Sequence, residues 1–107
     1  MTSYIIVMIT VANKREGKRI AQCLLREKLI ACANIVGPVS SLFRWSGKIV
    51  DSREQLVLMK SRVDLFDKIV ERVKMLHSYE VPEIISLPVA EGSTAYVEWL
   101  DSCLQPR

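Results

Sequence analysis

The sequence predicts an α+β fold, because strand-like and helix-like apolar patterns alternate along its 107 residues. Their order is strand, helix, strand, strand, helix, strand, helix. Two strand–helix–strand units joined through a hairpin are typical of the ferredoxin-like βαββαβ sandwich, here with a long β2–β3 hairpin and an extra C-terminal helix. We expect residues 1–107 to form a single domain, with both main helices on one face of an antiparallel sheet.

The first strand and the first helix have the clearest patterns. The strand begins at Ser3, and the run Tyr4–Val11 is continuously apolar and rich in β-branched residues, which is typical of a strand buried on both faces. Asn13 can cap the following helix, and Glu16, three residues later, can reach back to Asn13. Apolar residues then recur at i and i+4, which predicts a helix that ends near Leu29.

A long hairpin follows the first helix. Its predicted arms are Ala31–Trp45 and Lys48–Ser61, and Ser46-Gly47 supplies the turn, with the glycine at positive φ. Gly37-Pro38 interrupts the first arm, so we expect a bend or bulge there. Each arm can span about 45 Å at about 3.3 Å per residue, whereas a domain of this size has a radius of gyration of about 13 Å. The hairpin tip should therefore project beyond the sandwich.

A projecting tip predicts association with other chains, because a two-stranded ribbon is only marginally stable alone. Several large apolar side chains lie near the tip. These are Leu42, Phe43, Trp45 and Ile49. An unpaired ribbon edge and exposed aromatic rings favour pairing with a partner chain. In the alternative, bends at Gly37-Pro38 and Asp51-Ser52 fold the ribbon back onto its own domain.

The second half of the chain supplies two helices and one strand. Ser61 and Asp64 form a helix-start signal, which predicts a helix from about Arg62 to Leu76. A short strand is predicted over Glu83–Val89. The segment Gly92-Ser93-Thr94 then stops the chain and caps a last amphipathic helix.

Composition excludes several classes of protein. Lys and Arg outnumber Asp and Glu by 15 to 12, and the cations are scattered, so we expect no nucleic-acid partner. The longest apolar run is about ten residues, half the length that spans a bilayer, so we expect no membrane anchor. We also expect no cleavable signal, because the start of the sequence holds no basic n-region. The three cysteines form no C-x-x-C pair and fit free thiols in a reducing cytosol, which predicts a cytoplasmic protein.

The sequence also lacks the usual catalytic motifs. It contains no Gly-x-Ser-x-Gly, no His-Glu-x-x-His and no glycine-rich phosphate loop. No nucleophile, base and acid form a recognisable set. We therefore expect no enzymatic activity and no required cofactor.

Five short segments between Tyr4 and Leu104 form a recognisable succession. They are Ala31–Ile35, Phe43–Ile49, Glu54–Lys60, His77–Ile84 and Tyr96–Leu100. Each motif is unspecific alone, but their order and spacing together are specific. In these segments the chain resembles the CutA family, the divalent-cation tolerance proteins.

The resemblance implies properties that composition does not show. CutA proteins are ferredoxin-like homotrimers, similar in assembly to the PII nitrogen-regulatory signal transducers, and their long hairpins pair between subunits. They are linked to tolerance of copper and other divalent metals, and no enzymatic reaction is firmly established for them. This sequence departs from the family pattern at three places: Ser78 replaces a frequent proline, Leu76 a second histidine of some members, and Ile9 a proposed cysteine ligand.

His77 and Cys32 are the candidate ligands for Cu(II) or another divalent metal. His77 is the only histidine, and a thiol is a soft ligand. A single histidine with no cysteine nearby in sequence makes a poor metal site unless a partner subunit adds ligands. In the alternative, His77 caps the C-terminus of its helix, and Cys32 is a small buried filler.

Other polar and aromatic residues predict a cleft and an interface between subunits. The candidates for the ligand cleft are Glu54, Lys60, Tyr79 and Glu83, and those for the interface are Phe43 and Trp45. Glu54 and Lys60 are an even number of residues apart and so share one face of their strand. Tryptophan at a hairpin tip is typical of an interface anchor. Alternatively, the charges are merely solvated and the loop around Tyr79 docks a neighbouring subunit.

Two functions follow from these expectations. The first is a homotrimer in divalent-metal homeostasis that binds metal ions, copper among them, or a small ligand at inter-subunit clefts, with a role in signalling. The second is a purely structural trimer that scaffolds an unidentified partner protein and binds no ligand of its own. The sequence leaves both open.

Overall fold

The computed structural model describes residues 4–107 and confirms the α+β, ferredoxin-like fold. The elements are β1 Tyr4–Val11, α1 Lys14–Arg26, β2 Cys32–Trp45, β3 Lys48–Arg62, a 3₁₀ turn Val63–Leu65, α2 Phe66–Leu76, β4 Ile84–Pro88 and α3 Thr94–Ser102. The sheet has the order β2-β3-β1-β4, and every neighbouring pair is antiparallel. Ser3, the predicted first residue of β1, lies outside the described residues.

The two faces of β1 differ in burial. Its alternate residues Ile5, Val7, Ile9 and Val11 are buried against α1 and α2 in one apolar core. The residues between them are only half-buried. The prediction that β1 is buried on both faces is therefore wrong for the single chain, because the helices cover one face of the sheet only. We call the other face the open face.

The start of α1 confirms its predicted cap. Asn13 Oδ1 accepts the backbone N–H of Glu16 at 2.8 Å, and Glu16 Oε1 accepts the backbone N–H of Ala12 at 3.1 Å. These two bonds satisfy backbone donors that a helix start leaves free.

The end of α1 differs from its prediction. The helix ends at Arg26 rather than near Leu29, because Lys28 adopts φ 58° and turns the chain out of the helix. The N–H of Leu29 then bonds the carbonyl of Leu24 at 3.0 Å, which closes the helix end. Leu29 is buried in the core all the same, so its apolar character reflects tertiary packing rather than helix.

The hairpin follows its prediction closely. β2 and β3 pair from Cys32↔Lys60 to Trp45↔Lys48, with a register shift between Val36 and Val39 that confirms the expected bulge at Gly37-Pro38. Gly47 has φ 74° in the turn. Pairing continues unbroken past Asp51-Ser52, and the chain measures 44 × 25 × 21 Å.

The side chains at the tip of the hairpin are not buried against their own domain. Ile49 is 74% exposed, Leu42 70% and Trp45 58%. The alternative in which the ribbon folds back and covers its own tip therefore does not describe this chain.

The start of α2 corrects a second prediction. Ser61 does not cap a helix; β3 continues to Arg62, and the buried Ser61 hydroxyl donates to the carbonyl of Leu29 at 2.6 Å. The 3₁₀ turn comes next, and α2 begins only at Phe66, without a side-chain cap. The Ser-x-x-Asp signal fails here because Ser61 is occupied by a tertiary contact.

Arg62 joins this end of the sheet to α3. Its side chain is 1% exposed, and its guanidinium donates to Asp64 at 2.6 and 3.0 Å, to Asp101 at 3.2 Å and to the Gln105 carbonyl at 2.7 Å. Tyr4 Oη also donates to Asp101, at 3.0 Å. This cluster fixes α3 and the C-terminus against the start of β1 and the end of β3.

Candidate ligand cleft

The loop of residues 77–83 connects α2 to β4 and is held in place by His77. The backbone of His77 caps α2, as the alternative reading of the sequence predicted. Its ring Nε2 lies 2.7 Å from the carbonyl oxygen of Thr10, and Nδ1 lies 3.0 Å from the backbone nitrogen of Tyr79. Because a carbonyl can only accept and an amide N–H donates, the ring carries its proton on Nε2. Both nitrogens of the ring are therefore occupied.

Glu16 supports the same loop from the helix side. Its Oε2 accepts the backbone N–H of Ser78 at 2.7 Å, and its Oε1 accepts that of Ala12. Burial raises the pKa of the carboxyl, but the hydrogen bonds from Ser78 and Ala12 outweigh burial, so the pKa lies below its usual value. The carboxylate thus stays ionised and ties α1 to the loop.

Tyr79 reaches from the loop to β3. Its Oη donates to Glu54 Oε2 at 2.6 Å, and Glu54 is only 5% exposed. Burial, together with the hydrogen bond to Glu54, raises the pKa of Tyr79 to about 12. The phenol is therefore protonated at neutral pH and acts as a fixed donor to the carboxylate.

These contacts border a cleft between the hairpin and the loop. It consists of two cavities of about 410 and 360 Å³ that share five lining residues. The shared residues are Phe43, Trp45, Glu54, Tyr79 and Val81. Glu80 lines the larger cavity, and Glu83 and Thr10 line the smaller one. Both volumes are within the range of small-molecule sites.

The cleft lies on the open-face side of the sheet. Residues paired across an antiparallel ladder share a face, and alternate residues of a strand do so too. Val7 pairs with Met59 and both are buried in the core, so the even-numbered residues of β3, Glu54 among them, point to the opposite face. The cleft is thus on the side that the helices do not cover.

The structure brings five of the six predicted cleft and interface residues to this place and leaves one apart. Glu54, Tyr79 and Glu83 line the cleft, as do the predicted interface residues Phe43 and Trp45. Lys60 lies six residues along β3 from Glu54, and its amine donates to Asn34 Oδ1. In a single chain the structure does not place Lys60 in the cleft.

The two candidate metal ligands also lie apart within one chain. Cys32 pairs with Lys60, and its sulfur is 3.4 Å from Tyr96 Oη. His77 contacts Thr10, which pairs with Leu56, four residues along β3, or about 13 Å at about 3.3 Å per residue. Among residues 4–107, no three His, Cys, Asp or Glu side chains are arranged to hold a metal ion. A metal bound by these two residues would need ligands from another chain.

Sequence reasoning missed the second role of Glu16. Its position in the capping motif predicted a contact with Asn13, whereas the structure places that contact one residue earlier, at the backbone N–H of Ala12. No spacing rule could predict its bond to Ser78, 62 residues away. Val81 was likewise unnoticed, since a single exposed valine carries no local signal.

Comparison with known proteins decides the family. The model of the CutA1 divalent ion tolerance protein family matches residues 5–103. The chain belongs to this family. The divalent-cation tolerance protein CutA of Thermus thermophilus is 46% identical over 95 residues, 89% of this chain and 92% of that protein. The chloroplastic protein CutA 1 of Oryza sativa is also 46% identical, over 96 residues, but the match covers only 54% of its length.

Solved structures of CutA proteins share the fold along nearly the whole chain. That of Thermus thermophilus has a TM-score of 0.93 at 43% identity and covers 95% of this chain and 99% of its own. The structure from Archaeoglobus fulgidus, titled a periplasmic divalent cation tolerance protein, has a TM-score of 0.92 at 35% identity with the same coverage. The family resemblance read from the sequence motifs is thereby confirmed.

The compartment of the CutA chain stays a prediction. The named relatives include chloroplastic and periplasmic proteins as well as proteins without such a label. Within residues 4–107, no helix has both the length and the apolar character needed to cross a membrane.

Proposed function

We propose that this chain is a cytoplasmic homotrimer that serves divalent-metal tolerance and signalling by binding a metal ion, such as copper, or a small ligand at clefts between its subunits. The observation that carries the proposal is membership of a family whose relatives are named divalent-cation tolerance proteins. No cofactor is required by this role.

The open face supports assembly. It carries a continuous set of apolar side chains from β1, β3 and β4, namely Ile6, Met8, Leu56, Leu58, Ile85 and Leu87. On the edge strand, Ile85 is 45% exposed and Leu87 48%. A connected apolar face of this kind is typical of a protein interface. Other copies of the chain would bury it and could also pair with the projecting hairpin.

The cleft supports the position of the ligand. It opens on the same side of the sheet as the apolar face, and its walls include Phe43 and Trp45 from the hairpin. If subunits meet on the open face, the cleft lies at their boundary. Pockets form preferentially at such boundaries.

Calorimetric titration with Cu(II) and Zn(II) tests direct metal binding. The untagged trimer should bind with modest affinity, and Cys32→Ser and His77→Ala should each weaken binding. Cys23→Ser is the control, because Cys23 is also a half-buried free thiol but lies in α1. If both variants bind as the parent does, these two residues are structural and the metal site is wrong.

One observation favours the scaffold alternative. Both ring nitrogens of His77 are already engaged within the chain, so this residue binds metal only if the loop rearranges. A stable trimer that binds neither metal nor any member of a metabolite screen, judged by thermal shift, would support a scaffold for an unidentified partner protein.

A further inference from the structure

The charged residues that line the cleft are acidic. Glu54 lines both of its cavities, Glu80 the larger and Glu83 the smaller, and among residues 4–107 no Lys, Arg or His lines either cavity. This contrasts with the chain as a whole, whose net charge is +3. A ligand for this cleft should therefore be a cation rather than an anion.

Glu54 offers that cation a specific contact. Tyr79 occupies Oε2, and no donor within residues 4–107 bonds Oε1. In the same part of the chain every side-chain N or O atom without solvent access has a hydrogen-bond partner, so the unbonded Oε1 keeps some access to solvent, and Glu54 lines both cavities of the cleft. No cation of the described chain forms a salt bridge with Glu54 either. Glu54 is only 5% exposed and thus keeps one carboxylate oxygen without a donor from the described chain, which leaves this oxygen able to accept a hydrogen bond from a ligand in the cleft.

Three aromatic rings line the same cavities as this carboxylate and would select among cations. Phe43, Trp45 and Tyr79 line both cavities, together with Val81. Aromatic faces attract organic cations and stack on flat, delocalised ones. A bare divalent ion instead needs several oxygen or nitrogen ligands at fixed distances, and this lining presents no such cluster.

We propose that the cleft binds an organic cation that carries N–H donors on a flat or apolar body, such as an amidinium, a guanidinium or an aryl-alkyl amine. The N–H groups bond Glu54 Oε1 and the body lies against Phe43, Trp45 and Tyr79. This inference rests on the proposed role of the cleft as a ligand site and narrows its ligand. The cation has two sources: a free small molecule, or a basic side chain of another copy of the chain.

A matched series of probes tests the charge requirement. Benzamidinium, benzamide and benzoate have nearly the same shape and differ in charge. Calorimetric titration of the untagged protein should give an affinity for benzamidinium at least tenfold higher than for benzamide, and no binding of benzoate.

Glu54→Gln identifies the residue responsible. Glutamine keeps the size and can still accept the hydrogen bond of Tyr79, so the fold should persist, which circular dichroism checks. The variant should bind benzamidinium at least tenfold more weakly and benzamide unchanged. Glu71→Gln, an exposed acid on α2, is the control and should bind as the parent does.

The outcomes separate the two sources of the cation. Charge-dependent binding that Glu54→Gln abolishes supports a free small molecule. Absence of benzamidinium binding, with assembly weakened at least tenfold by Glu54→Gln, supports a basic side chain of another copy. The proposal is overturned if benzamide binds as tightly as benzamidinium, or if neither probe binding nor assembly depends on Glu54. Sedimentation of the parent tests the trimer separately, so the proposed function can stand when this inference fails.

Discussion

Two buried charged residues of β3, one toward each end of the sheet, differ in how many hydrogen-bond partners the chain provides. At one end, Arg62 is 1% exposed, and its guanidinium is bonded by Asp64, Asp101 and the Gln105 carbonyl. At the other end, Glu54 is 5% exposed, and Tyr79 supplies its only hydrogen bond from the described chain.

This difference in hydrogen-bond partners distinguishes a charge that stabilises the fold from a charge that is available to bind a ligand. A buried charge is costly unless it is paired and hydrogen-bonded. Arg62 has its partners within the chain, so it contributes to the fold. Glu54 has one oxygen without a donor in the described chain, and this is the oxygen that we propose bonds an external cation. Glu16, across the same loop, resembles Arg62, because amide donors bond both of its oxygens.

The largest expected effect is at the structural end. Arg62→Met removes the guanidinium donors of the cluster and should lower the free energy of unfolding by about 3 kcal/mol, since hydrogen bonds to charged groups and the packing of a buried side chain are lost. Urea denaturation at a fixed chain concentration measures it. Arg72→Met is the control: Arg72 pairs with Glu27 at 2.7 Å with both side chains about one-third exposed, and should cost less than about 1 kcal/mol. Equal losses would show that burial of Arg62 adds nothing.

The open face provides the second test. Leu87 and Ser86 are neighbours on β4 that point to opposite faces, and only Leu87 lies on the open face. Leu87→Glu should weaken assembly by at least tenfold, or about 1.4 kcal/mol, because it places a charge in an apolar interface. Ser86→Glu should leave assembly unchanged. Sedimentation equilibrium compares the two, and a similar response from both would mean that the open face is not the interface.

A smaller effect is expected at Glu16 and depends on pH. Because the pKa of Glu16 is depressed in the folded protein, its contribution to stability is present above the unfolded value near 4.5 and is lost as the pH falls through the folded value. Glu16→Gln should cost about 1 kcal/mol at pH 7, since two charge-assisted hydrogen bonds become neutral ones.

The cost of Glu16→Gln should then shrink as the pH is lowered below 4.5. Denaturation at a series of pH values follows it, with Glu71→Gln as a control that shows no such trend. A difference that stays constant down to the acid limit would show that the ionised carboxylate does not hold the loop.

The fold could be predicted from local patterns wherever the type of a residue reflects only its own helix, strand or turn. Local sequence was enough for three features, because each depends only on residues a few positions away. These are the periodicity of α1, the capping residue Asn13 and the Ser46-Gly47 turn. Prediction failed where tertiary contacts decided the role of a residue. Leu29 continues an apolar stripe because it enters the core, and Ser61 bonds Leu29 instead of capping a helix.

The candidate site was predictable in composition but not in arrangement. Alternation along β3 places Glu54 and Lys60 on one face, but spacing could not show that the loop carrying Tyr79 reaches only Glu54. The single histidine drew attention as a metal ligand, whereas its ring turns inward to Thr10. Contacts between residues that are 25 or more positions apart are set by the tertiary fold, and a single sequence does not reveal them directly.

The mass of the untagged protein in solution tests the central claim most directly, namely that the open face and the cleft of one chain are completed by other copies of it. Sedimentation equilibrium at micromolar chain concentration should give a species with three times the 12.2 kDa mass of the chain. A single species of 12.2 kDa under those conditions would contradict the claim, because the open face and the cleft would then face solvent.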